Sequence, residues 1–504
     1  MSRVGIAKAI ALSGIAGTLI TVETHTSDSL PGITIVGHGD TSLREARERV
    51  RAALSSIQMP LGSTRYTINL SPADMPKMGS GFDVAIALSI VAGMVPSLCA
   101  SLAETVVIGE LGLTGEIRPV KGVLPRILAA HELGFRNAIV PRGNLSEAQL
   151  ISGMRVSGYS HLAELLSDIG FAKYDDWPVP PSDTQFDSLP PQDDGVDLAD
   201  VRGQEQAKWA LQVAAAGGHH LLYIGDPGAG KTMLARRLPG ILPQLTEAEA
   251  MESTAIHSLA GELRKPQLIR QAPFIAPHHS ASQPSLVGGG AGLARPGAVS
   301  LAHNGVLFLD EAPEFSPRIL DSLREPLESG EITIYRSAGA VTYPARFQLV
   351  LAANPCPCGK LNDCTCSPYI KQRYLSRLSG PLLDRIDITC PITVPSRGDL
   401  LADTDPLDTS KAAERVRNAR QQAAQRYRDE AWNLNGQAPG KYLRGLLSPR
   451  LLSQLDDAVE KRVLSMRGAV KTMRLALTIA DLRGATSPDG NDLGAAFNIH
   501  GEGL

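Results

Sequence analysis

Residues 225–232 read Gly225-Asp226-Pro227-Gly228-Ala229-Gly230-Lys231-Thr232. The segment follows the apolar run HHLLYIG, which is typical of a buried strand, and precedes KTMLARRL, which is typical of a helix. In this setting the pattern G-x-x-x-x-G-K-[ST] predicts a phosphate-binding turn, because glycines let backbone N–H groups converge on phosphate oxygens at a helix N-terminus. We predict that all eight residues bind a nucleotide, that Lys231 reaches its β- and γ-phosphates, and that the Thr232 hydroxyl holds Mg²⁺.

Two more apolar runs end in polar side chains that suit nucleotide hydrolysis. The run GVLFLD ends at Asp310 and is followed by Glu311, and ARFQLVLAAN ends at Asn354. Two acids at a strand tip are costly unless they act on a cation or a proton. We therefore predict that Asp310 binds Mg²⁺, that Glu311 polarises the attacking water, and that Asn354 orients that water or contacts the γ-phosphate. A simple strand-end turn is the alternative for Asn354.

The composition describes an ordinary globular protein rather than a strongly basic nucleic-acid binder. The 504 residues are 43% hydrophobic and 20% charged, and the net charge is -3, so any DNA site must be a local basic surface. Residues 4–22 are apolar, but Lys8 and three glycines interrupt them. Two strands joined at Ser13-Gly14 explain this run better than a signal peptide. We expect a cytoplasmic protein, since no other apolar segment is long enough to span a bilayer.

The length corresponds to about three domains. We predict an α+β domain at residues 1–172 and a proline-rich linker at residues 173–197. Residues 198–395 are predicted to form a domain of alternating strands and helices with a parallel sheet, and residues 396–504 a helical domain. In the last of these, Thr409 or Ser410 is the predicted N-cap of a long helix. The apolar stripe of that helix comprises Ala412, Val416, Ala419, Ala423 and Tyr427.

Four of the six cysteines lie within eleven residues, namely Cys356, Cys358, Cys364 and Cys366. This clustering is not the framework of a secreted disulfide protein and favours metal or redox chemistry. Four thiolates are enough for a closed tetrahedral Zn²⁺ site. We predict a structural zinc that fixes the loop after Asn354, although the C-x-C spacing is unusual and a group of reduced or redox-sensitive thiols is the alternative.

Several long strings resemble the AAA+ superfamily, specifically its magnesium-chelatase-like branch and, within it, the ComM/YifB family of bacterial competence-associated ATPases. They are APHHSAS and LVGGG before residue 291, RPGAVSLAHNGVLFLDE at 295–311, AANPCPCG at 352–359, YLSRLSGPLLDRIDI at 374–388 and TIADLRG at 478–484. The resemblance covers almost the whole chain. It implies an ATPase with bound Mg²⁺, an AAA+ P-loop sheet with covering helices, and a C-terminal helical lid.

The same resemblance implies roles for three further side chains. Asn354 corresponds to sensor 1, Arg385 to the arginine finger and Arg467 to sensor 2 of the lid; without the resemblance, both arginines would be taken for surface residues. A finger from a neighbouring subunit neutralises the charge that spreads over the γ-phosphoryl group, so the resemblance implies an oligomer, a hexameric ring. Two positions depart from the family pattern, because Asp226 replaces a proline and Leu477 stands where relatives often carry arginine.

Two inserts are candidates for contact with DNA. The Gly- and Ser-rich segment around His278 and His279 resembles the helix-2 insert of this branch, and residues 331–347 are predicted to form a hairpin flanked by Arg336 and Arg346. In related motors such loops face a central pore. Phosphate contacts need only a few basic side chains per subunit when a ring repeats them. We predict DNA contact for the hairpin, whereas a structural loop at a subunit interface is an equal alternative for the two histidines.

The N-terminal region resembles the Lon protease domain, a fold of the ribosomal S5 domain 2-like type, over residues 76–88 and 109–142. A Lon-type dyad needs a serine nucleophile and a lysine base. Here the lysine position falls on Leu124, and the serine position falls near Gly79 and Ser80, without the usual loop. Because leucine cannot take a proton, we predict a Lon-like α+β fold without peptidase activity.

Three classes of function are compatible with these observations. The first is a sequence-indifferent DNA motor, a helicase or branch-migration enzyme acting on branched or single-stranded recombination intermediates. The second is a chelatase motor subunit that remodels a protein partner, although such subunits resemble only the ATPase part of this chain. The third is a protein remodeller or Lon-like protease, which Leu124 disfavours. The resemblance favours the DNA motor.

Overall fold

The computed structural model of the protein describes residues 3–36, 41–59, 61, 64–72, 81–95, 97–171, 196–263, 265–290, 294–336, 339–359, 364–396, 398 and 407–500. The predicted linker therefore falls almost wholly outside the described residues, as do Gly79 and Ser80. The strands are β1 Arg3–Ser13, β2 Ala16–Asp28, β3 Gly32–Val36, β4 Thr64–Ser71, β5 Thr105–Val107, β6 Glu110–Leu111, β7 Ile117–Arg118, β8 Asn137–Pro141, β9 Arg155–Tyr159, β10 Leu221–Gly225, β11 Phe274–Ile275, β12 Gly288–Gly289, β13 Arg295–Pro296, β14 Val306–Leu309, β15 Glu331–Arg336, β16 Gly339–Pro344, β17 Gln348–Ala353 and β18 Ile388–Ile392.

The α-helices follow the same order along the chain. They are α1 Thr41–Ser56, α2 Asp83–Met94, α3 Leu98–Ala103, α4 Val123–Glu132, α5 Leu145–Ala148, α6 Leu162–Asp168, α7 Glu205–Gly217, α8 Lys231–Ile241, α9 Glu247–Ala260, α10 Gln283–Val287, α11 Ala298–Leu301, α12 Pro317–Asp321, α13 Arg324–Ser329, α14 Pro368–Leu375, α15 Gly380–Leu383, α16 Thr409–Arg426, α17 Gly440–Arg444, α18 Pro449–Glu460, α19 Met466–Leu482 and α20 Gly490–His500.

The N-terminal region is built on a seven-stranded mixed sheet in the order β3-β4-β2-β1-β5-β8-β9. The two strands predicted on either side of Ser13-Gly14 are confirmed, because β1 and β2 pair antiparallel with Ser13 opposite Ala16. Helix α2 lies against β1 and β2, and its residues 83–93 are all buried. That burial explains why its sequence is apolar on every side rather than amphipathic. The α+β architecture predicted for this region is confirmed.

The central region of the chain has a five-stranded sheet in the order β11-β14-β17-β10-β18, and every neighbouring pair in it is parallel. The strands predicted from HHLLYIG, GVLFLD and ARFQLVLAAN are confirmed as β10, β14 and β17. Residues of β14 and β17 are buried throughout, as expected for strands covered by helices on both faces. The carboxyl ends of these three strands lie at one edge, where parallel α/β sheets bind ligands.

The C-terminal helices share one hydrophobic core with α7, α8 and β10. The predicted stripe of α16 is confirmed, since its alanines, Val416 and Tyr427 are all buried. The predicted N-cap is wrong, because Asp408 accepts the N–H of Lys411. The Thr409 hydroxyl is engaged elsewhere: it accepts the N–H of Leu198 at 2.8 Å, a contact between distant parts of the chain. Across the described part of the chain, no helix is both long and apolar enough to cross a membrane.

Candidate active site

The phosphate-binding turn is shaped by glycines at two kinds of position. Gly225 ends β10 against β18, and a Cβ there would lie 2.0 Å from the carbonyl oxygen of Ile392, so only glycine fits. Gly228 and Gly230 have φ values of 78° and 98°, in the left-handed region that glycine adopts without strain. Helix α8 then begins at Lys231, which directs its free N–H groups toward the turn.

Lys231 is held at the centre of the site. Its Nζ donates to the carbonyl oxygens of Gly225 at 2.6 Å and Asp226 at 2.9 Å, and to Oδ1 of Asn354 at 3.0 Å. Burial lowers the pKa of Lys231, although nearby carboxylates act in the opposite direction. The direct contact joins the P-loop to the end of β17, two elements 123 residues apart in the chain.

The predicted magnesium ligands lie side by side. The Thr232 hydroxyl donates to Oδ2 of Asp310 at 2.6 Å, so both oxygens face the same point. Glu311 follows Asp310 with a left-handed backbone, φ 49° and ψ 45°, a conformation that costs a non-glycine residue free energy and is often found at functional sites. The side chains surround a cleft of about 380 Å³ lined by Pro227, Gly228, Gly230, Lys231, Thr232, Met233, Asp310, Glu311 and Asn354.

One neighbour of this cleft could not be predicted from sequence. Nδ1 of His279 lies 3.4 Å from a carboxylate oxygen of Glu311, and the His278 ring lies 4.1 Å from that of His279. Both histidines come from the segment that follows β11. The helix-2 insert predicted from the sequence therefore reaches the acidic end of the nucleotide cleft.

The two predicted arginines lie close to each other. Arg385 is 19% exposed, pairs with Glu328, and has a buried Nε without a hydrogen-bond partner among the described residues. Arg467 donates to Asp384 at 2.7 Å. Burial lowers the pKa of Arg385, and the charges of Arg324 and Arg467 lower it further. Neither Arg385 nor Arg467 lines the cleft of its own subunit in the part of the chain that is described.

The four clustered cysteines converge as predicted. All four Sγ atoms lie within 4.8 Å of one another, and Sγ of Cys356 is 2.9 Å from that of Cys358 and 3.2 Å from that of Cys364. The cluster begins two residues after Asn354. Gly359, next to Cys358, approaches the phosphate-binding turn closely, because a Cβ there would lie 2.8 Å from Cγ of Pro227.

The predicted hairpin is confirmed as β15 and β16, with Arg336 opposite Gly339 at its tip. Tyr335, for which the sequence predicted no role, is 78% exposed beside Arg336. The guanidinium of Arg336 lies over Gly289, so the hairpin tip and the glycine-rich insert adjoin. Arg346 lies at the other end of the hairpin, where it is 62% exposed and pairs with Glu252 at 3.1 Å.

The N-terminal region contacts helix α9 through helix α4, near Leu124, the position that the sequence aligned with the lysine of a Lon-type dyad. Leu124 is fully buried and its N–H donates to Glu147, whose carboxylate also accepts the hydroxyl of Ser258. Nearby, Lys121 donates to the carbonyl oxygen of Ala260 at 3.1 Å. Leu124 is therefore linked through Glu147 to α9.

The two departures from the family pattern have different surroundings. Leu477 is buried in the lid core. Asp226 lies in the phosphate-binding turn, where its Oδ1 is buried without a hydrogen-bond partner among the described residues. The negative charge that Asp226 adds therefore stands close to Lys231, whose ammonium it helps to keep protonated.

Comparisons with known proteins first define the class. Residues 197–400 match the family described as magnesium chelatase, subunit ChlI; residues 22–144 match subunit ChlI of Mg-chelatase; and residues 407–500 match the C-terminal part of magnesium chelatase subunit ChlI. Together with the parallel P-loop sheet and the helical C-terminal region, these matches confirm the predicted α/β fold of the magnesium-chelatase-like AAA+ type.

Relatives that match over almost their whole length then identify the family within this class. An uncharacterised protein of Mycobacterium tuberculosis is 45% identical over 504 residues, which is 99% of each chain. Competence protein ComM of Haemophilus influenzae is 40% identical over 94% of this chain and 92% of its own, and the uncharacterised protein YifB of Escherichia coli is 42% identical over 93% and 91%. The chain belongs to the ComM/YifB family, as its sequence predicted. The magnesium-chelatase 38 kDa subunit of Rhodobacter capsulatus is 28% identical over only 41% of this chain.

Proposed function

We propose that this protein is a cytoplasmic, ATP-driven DNA motor that assembles as a hexameric ring and moves the branches of recombination intermediates. The observation that carries the ATPase part is the assembled cleft, in which Lys231 contacts Asn354 and Thr232 contacts Asp310. The Haemophilus relative is named a competence protein, and competence concerns the uptake of DNA, which supports DNA as the substrate.

The residues of the cleft fit the chemistry of phosphoryl transfer to water. Lys231 would neutralise the β- and γ-phosphates, and Glu311 would accept a proton from the attacking water while Asn354 orients it. Thr232 and Asp310, whose oxygens are 2.6 Å apart, would hold Mg²⁺, which offsets phosphate charge when bound. These assignments account for every ionisable side chain that lines the cleft.

Arg385 would complete the site of a neighbouring subunit as its arginine finger, and Arg467 would act as sensor 2 of the lid. Arg385 and Arg467 pair with acids of their own chain, outside their own cleft, and their charges are close enough to influence each other. A guanidinium presented across a subunit boundary stabilises the charge of the transition state. This arrangement supports a ring in which each ATP lies between two subunits. Each turnover would then change the relative position of neighbours.

The hairpin tip provides the DNA surface of the proposal. Tyr335 and Arg336 are both exposed at the end of β15, Arg336 lies beside Gly289 of the glycine-rich insert, and Arg295, opposite Gly289, is also exposed. An aromatic ring stacks on any base and arginine binds any phosphate, so such a surface recognises single-stranded DNA without reading its sequence. Arg346 would add a phosphate contact at the base of the hairpin.

The cysteine cluster would hold a structural zinc ion. Four thiol sulfurs within 4.8 Å of one another are a donor set that suits tetrahedral Zn²⁺. The ion would fix the loop that follows Asn354 and approaches the phosphate-binding turn. It would thereby stabilise both Asn354 and the turn. It has no role in the hydrolytic step.

ATP hydrolysis measured with no DNA and with single-stranded, duplex and four-way branched DNA tests the proposal. We expect stimulation by single-stranded or branched DNA, dissociation of the branched junction that requires ATP, and DNA binding that weakens steeply with salt. Hydrolysis that is equal under all four conditions, without junction dissociation, would contradict the DNA motor and favour a chelatase-like motor that acts on a protein.

A further inference from the structure

The loop that carries Arg385 is held by the first turns of lid helix α19. Lys471 is buried, at 8% exposure, and its Nζ donates to the carbonyl oxygen of Ile386 at 2.7 Å and of Leu383 at 3.3 Å. These two carbonyls lie on either side of Arg385 in the chain. One turn earlier in the helix, Arg467 pairs with Asp384 at 2.7 Å.

A third contact from the same helix fixes the end of this loop. Asp387 accepts a hydrogen bond from Nδ1 of His219 at 3.0 Å, and Nε2 of that ring is 2.8 Å from the hydroxyl of Thr478. Burial would raise the pKa of Asp387, but the bond to His219 and its charge outweigh burial and lower it. Three places along α19 therefore hold residues 384–387 directly or through one side chain.

A buried lysine is a costly way to fill space. An ammonium group that loses water must recover the free energy through charge-assisted hydrogen bonds. A leucine or methionine would serve better if the site needed only packing. The bonds to Ile386 and Leu383 therefore indicate that Lys471 has a geometric task, which is to fix the backbone on both sides of Arg385. The guanidinium of Arg385 itself donates to Glu328 and to the carbonyl oxygen of Pro381.

We propose that Lys471 is a positioning residue that aims Arg385 at the nucleotide of the neighbouring subunit. This inference rests on the proposed function, in which Arg385 acts across the subunit boundary. A lid that moves with the nucleotide state of its own subunit would thereby change hydrolysis at the adjacent site. Lys471 touches neither ATP nor water in this account.

The test uses mixtures of full-length variants that carry defects in different halves of the site. Lys471→Met should lower ATP turnover about 100-fold, the scale expected when a catalytic group is displaced by about 1 Å, while binding of a fluorescent ATP analogue is unchanged. Mixing it with Lys231→Ala should restore turnover, because the Lys231→Ala subunit supplies a correctly aimed finger. The double variant Lys231→Ala/Lys471→Met should fail to restore turnover to Arg385→Ala subunits.

Two matched variants control for damage to the fold. Lys471→Arg keeps the donors and should retain most of the turnover. Lys461→Met changes an exposed lid lysine and should have no effect. If Lys471→Met does not fold, Lys471→Gln is assayed in the same mixtures with the same expectations.

The possible outcomes distinguish a failure of this inference from a failure of the proposed function on which it rests. If Arg385→Ala and Lys231→Ala subunits do not restore each other, the finger does not act between subunits and the proposed function fails. If they do, but the double variant restores Arg385→Ala as well as Lys231→Ala does, then Lys471 does not aim the finger and only this inference is overturned. Loss of analogue binding in Lys471→Met would overturn it equally.

Discussion

Two groups of side chains to which the proposal assigns roles in ATP hydrolysis differ in how they are arranged in this chain. The cleft half consists of Lys231, Thr232, Asp310, Glu311 and Asn354. Contacts of 3.0 Å between Lys231 and Asn354 and of 2.6 Å between Thr232 and Asp310 join it across the ends of β10, β14 and β17. The arginine half, consisting of Arg385 and Arg467, pairs with acids of the same chain. The cleft half holds the side chains to which the proposal assigns ATP binding, whereas the arginine half does not line that cleft.

This difference shows where control of hydrolysis can reside. In the proposed function, the preformed cleft would bind nucleotide without a partner subunit, because its side chains already face one another. In the proposed ring, Arg385 would exchange the carboxylate of Glu328 for phosphate oxygens presented by a neighbouring subunit. Binding would then be a property of one subunit and hydrolysis a property of two.

The largest effect is expected in the arginine half. Arg385→Ala should lower ATP turnover about 1000-fold, because the transition-state charge loses its guanidinium, while affinity for ATP stays within a few-fold. Steady-state hydrolysis and binding of a fluorescent ATP analogue measure the two quantities. The control is Arg450→Ala, an exposed lid arginine. Equal losses of binding and turnover would remove the distinction between the two halves.

The next largest effect belongs to the cleft half. Glu311→Gln should bind ATP but turn it over about 100-fold more slowly, because the attacking water loses its proton acceptor. Glu314→Gln, three residues further on and paired with Arg377, should behave as wild type. A single-turnover assay after rapid mixing with ATP separates binding from hydrolysis, and unchanged hydrolysis in Glu311→Gln would refute its assignment.

The proposed DNA surface lies outside both groups of side chains. Changes in this surface should therefore alter DNA binding without altering ATP hydrolysis measured in the absence of DNA. The double change Tyr335→Ala/Arg336→Ala should weaken single-stranded DNA binding about tenfold, through lost stacking and phosphate contact, and spare hydrolysis without DNA. Arg346→Ala should have a smaller effect, since that guanidinium is shared with Glu252. Fluorescence anisotropy over a range of salt concentrations measures both. A double variant that binds DNA as wild type does would exclude the hairpin tip.

The smallest effect on the nucleotide site is expected from changes in the cysteine cluster. Protein purified without chelator should contain about one zinc per chain, and Cys358→Ser should lower this content and weaken ATP binding a few-fold through the contact between Gly359 and Pro227. Cys99→Ser, a change far from the cluster in the sequence, should leave the zinc content unchanged. Elemental analysis that finds well under one zinc per chain in the wild type would refute the site.

Features that depend on a short stretch of sequence were predictable, and features that depend on tertiary contacts were not. The phosphate-binding turn and the strands that end at Asp310 and Asn354 follow from local patterns of glycine and apolar residues. By contrast, the contact of His279 with Glu311 joins side chains 32 residues apart, and that of Lys471 with Ile386 joins residues 85 apart. No local pattern encodes such pairs.

The error at the start of α16 has the same origin. Asp408, Thr409 and Ser410 are all good capping residues, so local preference does not choose among them. A tertiary contact decides which residue caps the helix, because the N–H and hydroxyl of Thr409 donate to Asp197, more than two hundred residues earlier. The capping position therefore passes to Asp408.

Mixing Arg385→Ala with Lys231→Ala subunits tests the division of the site between two subunits most directly. Each variant alone should be almost inactive, one for lack of a finger and the other for lack of a phosphate ligand. In a mixed ring, an intact cleft from the first variant meets an intact finger from the second, so ATP turnover should rise with mixing and peak at intermediate ratios. Turnover that stays at the level of the separate variants at every ratio would contradict this account.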